Sequence, residues 1–427
     1  MREDLLHFLW KYNKLTPSDL YTTCSESISI GDTGTHNHLS GPDFFNAKIH
    51  IDGQLWAGNV EIHVKASDWY AHHHEEDPKY ENVILHVVWE EDTMVFRKNG
   101  TVIPTLELKN VVSPKFVEVY QELLDKQKHS FINCETDMLE VDSFIFEHWL
   151  ERLYFERLEH KSETISKLLE NSKNDWEQVL FTLLLKSFGS KINSDAFLTL
   201  ADHLEFSIVR KVGHSVDQLE SLLFGMSHLL EDENIVDLYY LRLKRDFEFL
   251  KRKFKLDNEG VLKPEFFKLR PANFPTLRLS QFANLYGKQG SLFEKVIKAT
   301  DLNMLYSVFE SSATAYWNDH YVFGKSSKEK AKKLTKPFID LLIINTVLPL
   351  KFCYSRHLGK ASAGEILHII TQIKAEQNAI IKGYDGLGVT IETAMQTQAL
   401  LQLYQEYCTA NKCLDCAIGS TILHRNV

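Results

Sequence analysis

Residues 44–65 read FFNAKIHI, then DG, then QLWAGNVEIHVK, and this stretch decides the fold of the N-terminal part. Apolar and polar residues alternate through Phe44–Ile51 and again through Gln54–Lys65, the period-two pattern of strands that bury one face. Asp52-Gly53 lies between them, a turn dipeptide whose glycine tolerates positive φ without steric cost. A β-hairpin is predicted. Downstream, Asn82–Trp89 (NVILHVVW) is apolar enough for a central strand. Asn99-Gly100 marks a second hairpin between Met94–Arg97 and Thr101–Leu108. Upstream, Leu5, Leu6, Leu9 and Trp10 share one face of a helix. The expectation is an α+β fold that opens with a small mixed sheet flanked by helices.

From about Ser113 the period changes to that of helices, over Pro114–Lys128, Ser143–Leu169, Asn174–Phe188, Ser194–Leu204, Ser215–Leu230 and Asn234–Phe254. A proline-rich connector, Gly260–Thr276, precedes further helices, among them Arg278–Tyr286, Ser327–Leu350 (broken at Pro337), Ala363–Gln372 and Glu392–Tyr407. The chain of 427 residues thus divides into a β-rich part, 1–112, a helical part, 113–259, and a helical C-terminal part, 260–427.

Asp43 precedes the first strand of the hairpin, and Glu61, His63 and Lys65 follow at i, i+2 and i+4 on the second. These three share one face, roughly 7 Å apart in steps of two. Folding at Asp52-Gly53 brings Asp43 near Glu61, since each lies about nine residues from the turn. Paired carboxylates hold Mg²⁺ or Mn²⁺, and a basic group two residues on can orient or deprotonate a metal-bound water. The loop that follows carries Trp69, His72, His73, His74, Asp77 and Tyr80, with His86 in the next strand. His72, His74 and Asp77 are therefore further candidate ligands.

Pro42-Asp43, a hairpin, then Glu61-x-basic resembles the signature of PD-(D/E)XK nucleases, whose fold is a mixed sheet flanked by helices, over about residues 1–110. That resemblance implies Asp43 and Glu61 as metal ligands, with Glu3 or Asp4 of the first helix as a further acid. The signature's lysine position falls on His63, a departure, because histidine supplies no fixed positive charge at neutral pH. Lys65 is one step further on the same face. The block GPDF…GNVEIHVKASDW…HHHEEDPKYENVILHVVW also resembles an uncharacterised bacterial family of the domain-of-unknown-function kind over nearly the full chain.

At the C-terminus Cys408, Cys413 and Cys416 have C-x4-C-x2-C spacing, with His424 eight residues on. Two readings stay open: a structural Zn²⁺ completed by His424, or an iron–sulfur cluster with a fourth thiolate from Cys353, Cys24 or Cys134.

A net charge of −10 excludes a surface coated in positive potential. Local basic surfaces remain, and Arg245, Lys251 and Arg252, with Lys268, Arg270 and Arg278 near Phe266, Phe267 and Phe274, are candidate nucleic-acid contacts. A second basic run covers Lys325–Lys336. No apolar run reaches the roughly 20 residues of a membrane span, and Phe338–Leu350 reads as a buried helix. The N-terminus has no signal-peptide pattern, and six cysteines in this chain make no disulfide framework, so a soluble cytoplasmic protein without a membrane partner is expected. There is no glycine-rich phosphate loop and no nucleophile elbow. The leading expectation is a Mg- or Mn-dependent phosphodiesterase acting on nucleic acid, with His63 or Lys65 handling the water. The alternatives are a catalytically degenerate nuclease fold retained as a nucleic-acid-binding or scaffold module, and a histidine-rich Zn or Mn hydrolase of a small substrate.

Overall fold

Positive φ at Asp52 (48°) and Gly53 (78°) closes the predicted hairpin, so the chain reverses in two residues. The computed structural model describes residues 1–15, 19–37, 39–124 and 130–425. Among these, seven strands form the main sheet: β1 (Leu20–Tyr21), β2 (Ser27–Asp32), β3 (Thr35–His36), β4 (Phe44–Ile51), β5 (Gln54–Lys65), β6 (Val83–Glu90) and β7 (Thr105–Glu107). Their order is β1-β2-β4-β5-β6-β7, with β3 also on β4. The pairs up to β5 are antiparallel, whereas β6 runs parallel to β5 and β7 parallel to β6. The mixed sheet is as expected.

Two local features adjust the sequence reading. A bulge between Phe44 and Ala47, with Asn46 at φ 60°, inserts one residue into β4. It keeps Phe44, Ala47, Ile49 and Ile51 all buried although strict alternation would turn one of them out. The second hairpin is reduced to a single bridge, Phe96 to Val102, around the Asn99-Gly100 turn. β6 is buried on both faces from Val83 to Val88, as a strand between two parallel neighbours requires. Helix α1 (Glu3–Lys11) buries Leu5, Leu6, Phe8, Leu9 and Trp10, and the indole N–H of Trp10 donates to the Thr33 carbonyl at 3.0 Å.

Contacts divide the chain into two compact units: Met1–Trp149 with Gly383–Val389 and Leu403–Val427, and Leu150–Lys382 with Thr390–Gln402. The cysteine-bearing tail thus belongs with the sheet, a grouping that the three-part sequence division does not contain. The second unit is helical. Asp175 caps Trp176–Phe188 by accepting from the Gln178 N–H at 3.1 Å, and Phe181, Phe188, Phe197, Phe224 and Phe282 are fully buried. The helix read from Ser327 instead begins at Lys336, since Pro337 suits the first helical turn. The lysine-rich run before it is a short strand, Lys325–Ser326, and irregular chain rather than a helix. Lys336–His357 is long and apolar enough to cross a membrane, and 72% of its apolar window is buried inside the fold. It contains a π turn at Ile343–Val347. The helix expected over Pro114–Lys128 is seen as α3 (Pro114–Leu123), and residues 125–128 lie outside the described residues.

Candidate metal centre

Three elements of the first unit converge on one place. β5 presents Glu61 and His63, both buried. The parallel register sets Glu61 opposite His86 of β6. The histidine-rich loop is the C-terminus of a one-turn helix, α2 (Asp68–Ala71). There His73 adopts φ 59°, its N–H donates to the Tyr70 carbonyl at 3.1 Å, and the His74 N–H donates to the Trp69 carbonyl at 3.0 Å. This is the double bond pattern of a Schellman motif. It reverses the chain so that His72 and His74 both return to β5 while His73 stays exposed. Tyr80 holds His74 by stacking at 3.8 Å between ring centroids.

The result is a cluster of nitrogen donors. One ring nitrogen each of His63, His72 and His74 lies within 4.8 Å of the others. His63 Nε2 is 3.1 Å from His72 Nδ1, and Glu61 Oε1 is 3.3 Å from His74 Nε2 and 3.6 Å from His63 Nε2. Ligands about 2.05 Å from a tetrahedral ion are separated by about 3.3 Å. The observed spacings bracket that value.

The surrounding groups fix the protonation state. His63 Nδ1 lies 2.9 Å from His86 Nε2. A proton on His63 Nδ1, donated to His86, leaves the Nε2 lone pair facing the cluster, which is how ligating histidines are commonly oriented. His86 Nδ1 is then a buried nitrogen without a hydrogen-bond partner. Burial, followed by repulsion from His86, His74 and His72, pushes His63 down to about 2. Burial, with His74 next, pushes His86 down to about 3. Both rings are neutral at physiological pH, the form that binds a metal. Burial and then the neighbouring Asp43 push Glu61 up to about 9.

Asp43 and Glu61 do sit back to back. Glu61 Oε2 accepts from the Asp43 N–H at 3.1 Å, and Asp43 Oδ2 accepts from the Ile62 N–H at 2.9 Å. Asp43 also faces His7 Nε2 at 3.2 Å. Burial opposes charging of His7, but the hydrogen bond and charge of Asp43, with Glu3 and Glu61, outweigh it and raise His7. His7 went unread in the sequence; its only signal is its place one turn after Glu3 on α1. Of the two helical acids, Glu3 acts on this site, while Asp4 accepts from the Tyr120 hydroxyl at 2.8 Å.

Other expected residues fall elsewhere. Lys65 is exposed at the end of β5, where its charge acts on Asp92, so it supplies no cation to Glu61. Asp77 caps the turn Pro78–Tyr80 by accepting from the Lys79 N–H at 2.9 Å and stands outside the histidine set. It lines an adjoining cavity of about 370 Å³ with Trp69, His74, Arg97 and Lys98. In the second unit, Arg278 is 7% exposed and is corrected to a core residue. Its guanidinium bonds Gln281 and Asn273 and lies 3.5 Å from the centre of the Phe338 ring. Arg245, Arg252, Lys268 and Arg270 are exposed, and Lys251 is half-buried against Asn258. At the C-terminus, His424 Nδ1 is held by its own helix, 2.6 Å from the Ser420 carbonyl, and its ring packs on Phe8.

The family model described as "Protein of unknown function (DUF2851)" matches residues 3–379. The chain belongs to this family. The matched span of DUF2851 contains the whole histidine and carboxylate cluster but stops before Cys408. No curated protein and no solved structure matches the chain.

Proposed function

We propose that this DUF2851 protein is a metal-dependent hydrolase of phosphodiesters whose ion is of the Zn²⁺ or Mn²⁺ class. One observation carries the reading: three imidazole nitrogens within 4.8 Å of one another, with Glu61 Oε1 at 3.3 and 3.6 Å from two of those rings. Imidazole suits zinc and iron, and the neighbouring Glu61 carboxylate admits Mn²⁺, whereas Mg²⁺ takes oxygen ligands and water. The donor set therefore moves the expectation away from magnesium bound by Asp43 and Glu61 alone. His63, His72 and His74 would hold the ion, with Glu61 beside them.

A bound ion of this kind supplies Lewis acidity and lowers the pKa of a coordinated water. The chain's own groups do the rest. Burial keeps Glu61 protonated in the metal-free chain; a bound cation would favour its charged form, and its carboxylate could then accept a proton from a water among the imidazoles. His86 keeps the His63 lone pair directed inward. Asp43, locked by the Ile62 N–H, orients His7, whose raised pKa suits it to return a proton to a leaving oxygen. The resemblance to PD-(D/E)XK nucleases supports a phosphodiester substrate.

The test is metal analysis of the full chain, then cleavage of labelled DNA, RNA and bis(4-nitrophenyl) phosphate with Zn²⁺, Mn²⁺ or Mg²⁺. Glu61→Gln and His72→Ala are expected to lose at least about a hundredfold in rate. Equal rates in wild type and both variants, or no turnover with any metal, defeat the proposal. Salt-dependent nucleic-acid binding without turnover would favour the binding-module alternative, which His63 at the signature's lysine position supports.

A further inference from the structure

We propose that Cys134, Cys408, Cys413 and Cys416 together ligate an iron–sulfur cluster, in a site that shares no residue with the histidine centre. Four of the chain's six cysteines meet in the first unit. Cys134, Cys413 and Cys416 are buried, at 8%, 8% and 6% exposure, and Cys408 is half-buried. Cys134 is close enough to feel the charge of all three others, although about 270 residues separate it from them.

The segments around the sulfurs are tied together by named contacts. Asn133 Nδ2 donates to Cys413 Sγ at 3.4 Å and to Asn411 Oδ1 at 3.1 Å. Phe131 stacks on Tyr404 and meets Tyr384 edge-on. The π turn Leu403–Cys408 ends on the first cysteine of the C-x4-C-x2-C run. The chain then closes so tightly that a Cβ at Gly419 would stand 2.2 Å from the Cys413 carbonyl oxygen.

Three of the four sulfurs already have polar partners. The Tyr384 hydroxyl lies 3.6 Å from Cys408 Sγ, Asn133 faces Cys413, and Cys416 is faced by the Trp149 indole and the Ile418 and Gly419 N–H groups. Hydrogen bonds to sulfur stabilise the anionic ligands of a cluster and tune its potential, a service that a neutral core thiol does not need.

Spacing separates a cluster from a single ion. Four sulfurs about 2.3 Å from one Zn²⁺ lie about 3.8 Å from each other. Among the described residues, the set of three ligating atoms within 4.8 Å is His63, His72 and His74, and no cysteine belongs to such a set. The thiols are thus spaced more widely than one ion requires, a separation that metal ions bridged by their own sulfides would span. Among the described residues, His424 belongs to no set of three ligating atoms within 4.8 Å. On assembly from sulfide with ferric iron (two-iron cluster) or with equal ferrous and ferric iron (four-iron cluster), each of the four S–H bonds is replaced by an Fe–S bond, its proton passes to solvent, and no external oxidant is needed. No change in the oxidation state of the cysteine sulfur is involved.

The test isolates the full chain without oxygen and measures iron, acid-labile sulfide and zinc. About two or about four irons with matching sulfide are expected per chain, with a brown visible absorbance. Cys134→Ser is expected to lose at least about tenfold in iron, whereas Cys353→Ser and His424→Ala, outside the proposed site, keep all of it. If Cys134→Ser proves insoluble, reconstitution of the metal-free wild type with ferrous and ferric iron and sulfide decides, saturation at a cluster's stoichiometry being expected. Zinc that Cys134→Ser removes and His72→Ala leaves in place, no iron after reconstitution, or undiminished iron in Cys134→Ser overturns the proposal. None of these outcomes bears on the histidine centre.

Discussion

His86→Leu separates the metal centre from the fold. His86 is fully buried, its Nε2 lies 2.9 Å from His63 Nδ1, and its Nδ1 is a buried nitrogen without a partner. Leucine has nearly the same volume and no polar atom. Removing the imidazole orphans His63 Nδ1, which costs about 1–3 kcal/mol, but abolishes the orphan at His86 Nδ1, which returns a similar amount. The two offset, so unfolding of the metal-free chain in urea is expected to change by no more than about 1 kcal/mol. The metal behaves differently. Without its acceptor on β6, His63 is no longer held with its Nε2 lone pair on the site. Loss of such an outer partner costs about 10- to 100-fold in metal affinity, or about 1.4–2.8 kcal/mol. Chelator competition with Zn²⁺ and Mn²⁺ measures this directly. Wild-type affinity in a variant of unchanged stability would refute the orienting role of His86, and a stability loss above about 3 kcal/mol would refute the offset.

Two predictions concern the helical unit. Burial raises Glu220 above its ordinary value of 4.5, although hydrogen bonds from Ser280, Tyr239, Trp317 and Thr314 oppose the rise. The unfolded chain therefore releases this proton first, and stability present below about pH 4.5 is lost as pH rises toward the folded value, by up to about 1.4 kcal/mol per pH unit. Glu220→Gln is expected to flatten that decline, and parallel urea-midpoint profiles for the two proteins from acid to neutral pH would disprove the assignment. Arg278→Ala leaves Gln281 Oε1 and Asn273 Oδ1 without their donor and uncovers Phe338, so a loss of about 2–4 kcal/mol is expected. Arg252→Ala, at an exposed position, is expected to stay within about 0.5 kcal/mol, and equal effects of the two in urea unfolding would show that Arg278 is not a core residue.

The sequence alone determined the hairpin, the mixed character of the sheet, the helical remainder and the meeting of Asp43 with Glu61. Each of these follows from local rules: period-two alternation, a turn dipeptide with positive φ, and counting from that turn. The N-cap Asp175 obeys a local rule too, because its carboxylate serves an N–H three residues away. His72 and His74 were legible as candidate ligands from their crowding after β5, but the route by which they and His86 reach His63 was not. His86 reaches it through a parallel pairing between β5 and β6, whose register depends on buried faces rather than on a turn. His72 and His74 return through an αL residue at His73, a conformation that glycine usually signals and histidine does not. Lys65, on the expected face, ran past the site because the strand outlasts it. Arg278 was read as a surface base, but its charge is satisfied by two side-chain carbonyls and an aromatic face, which only packing can bring together. The same holds for the fourth cysteine. The C-x4-C-x2-C run is visible in the chain, yet its union with Cys134 depends on the tail folding back onto the sheet unit, a long-range contact that no local pattern encodes.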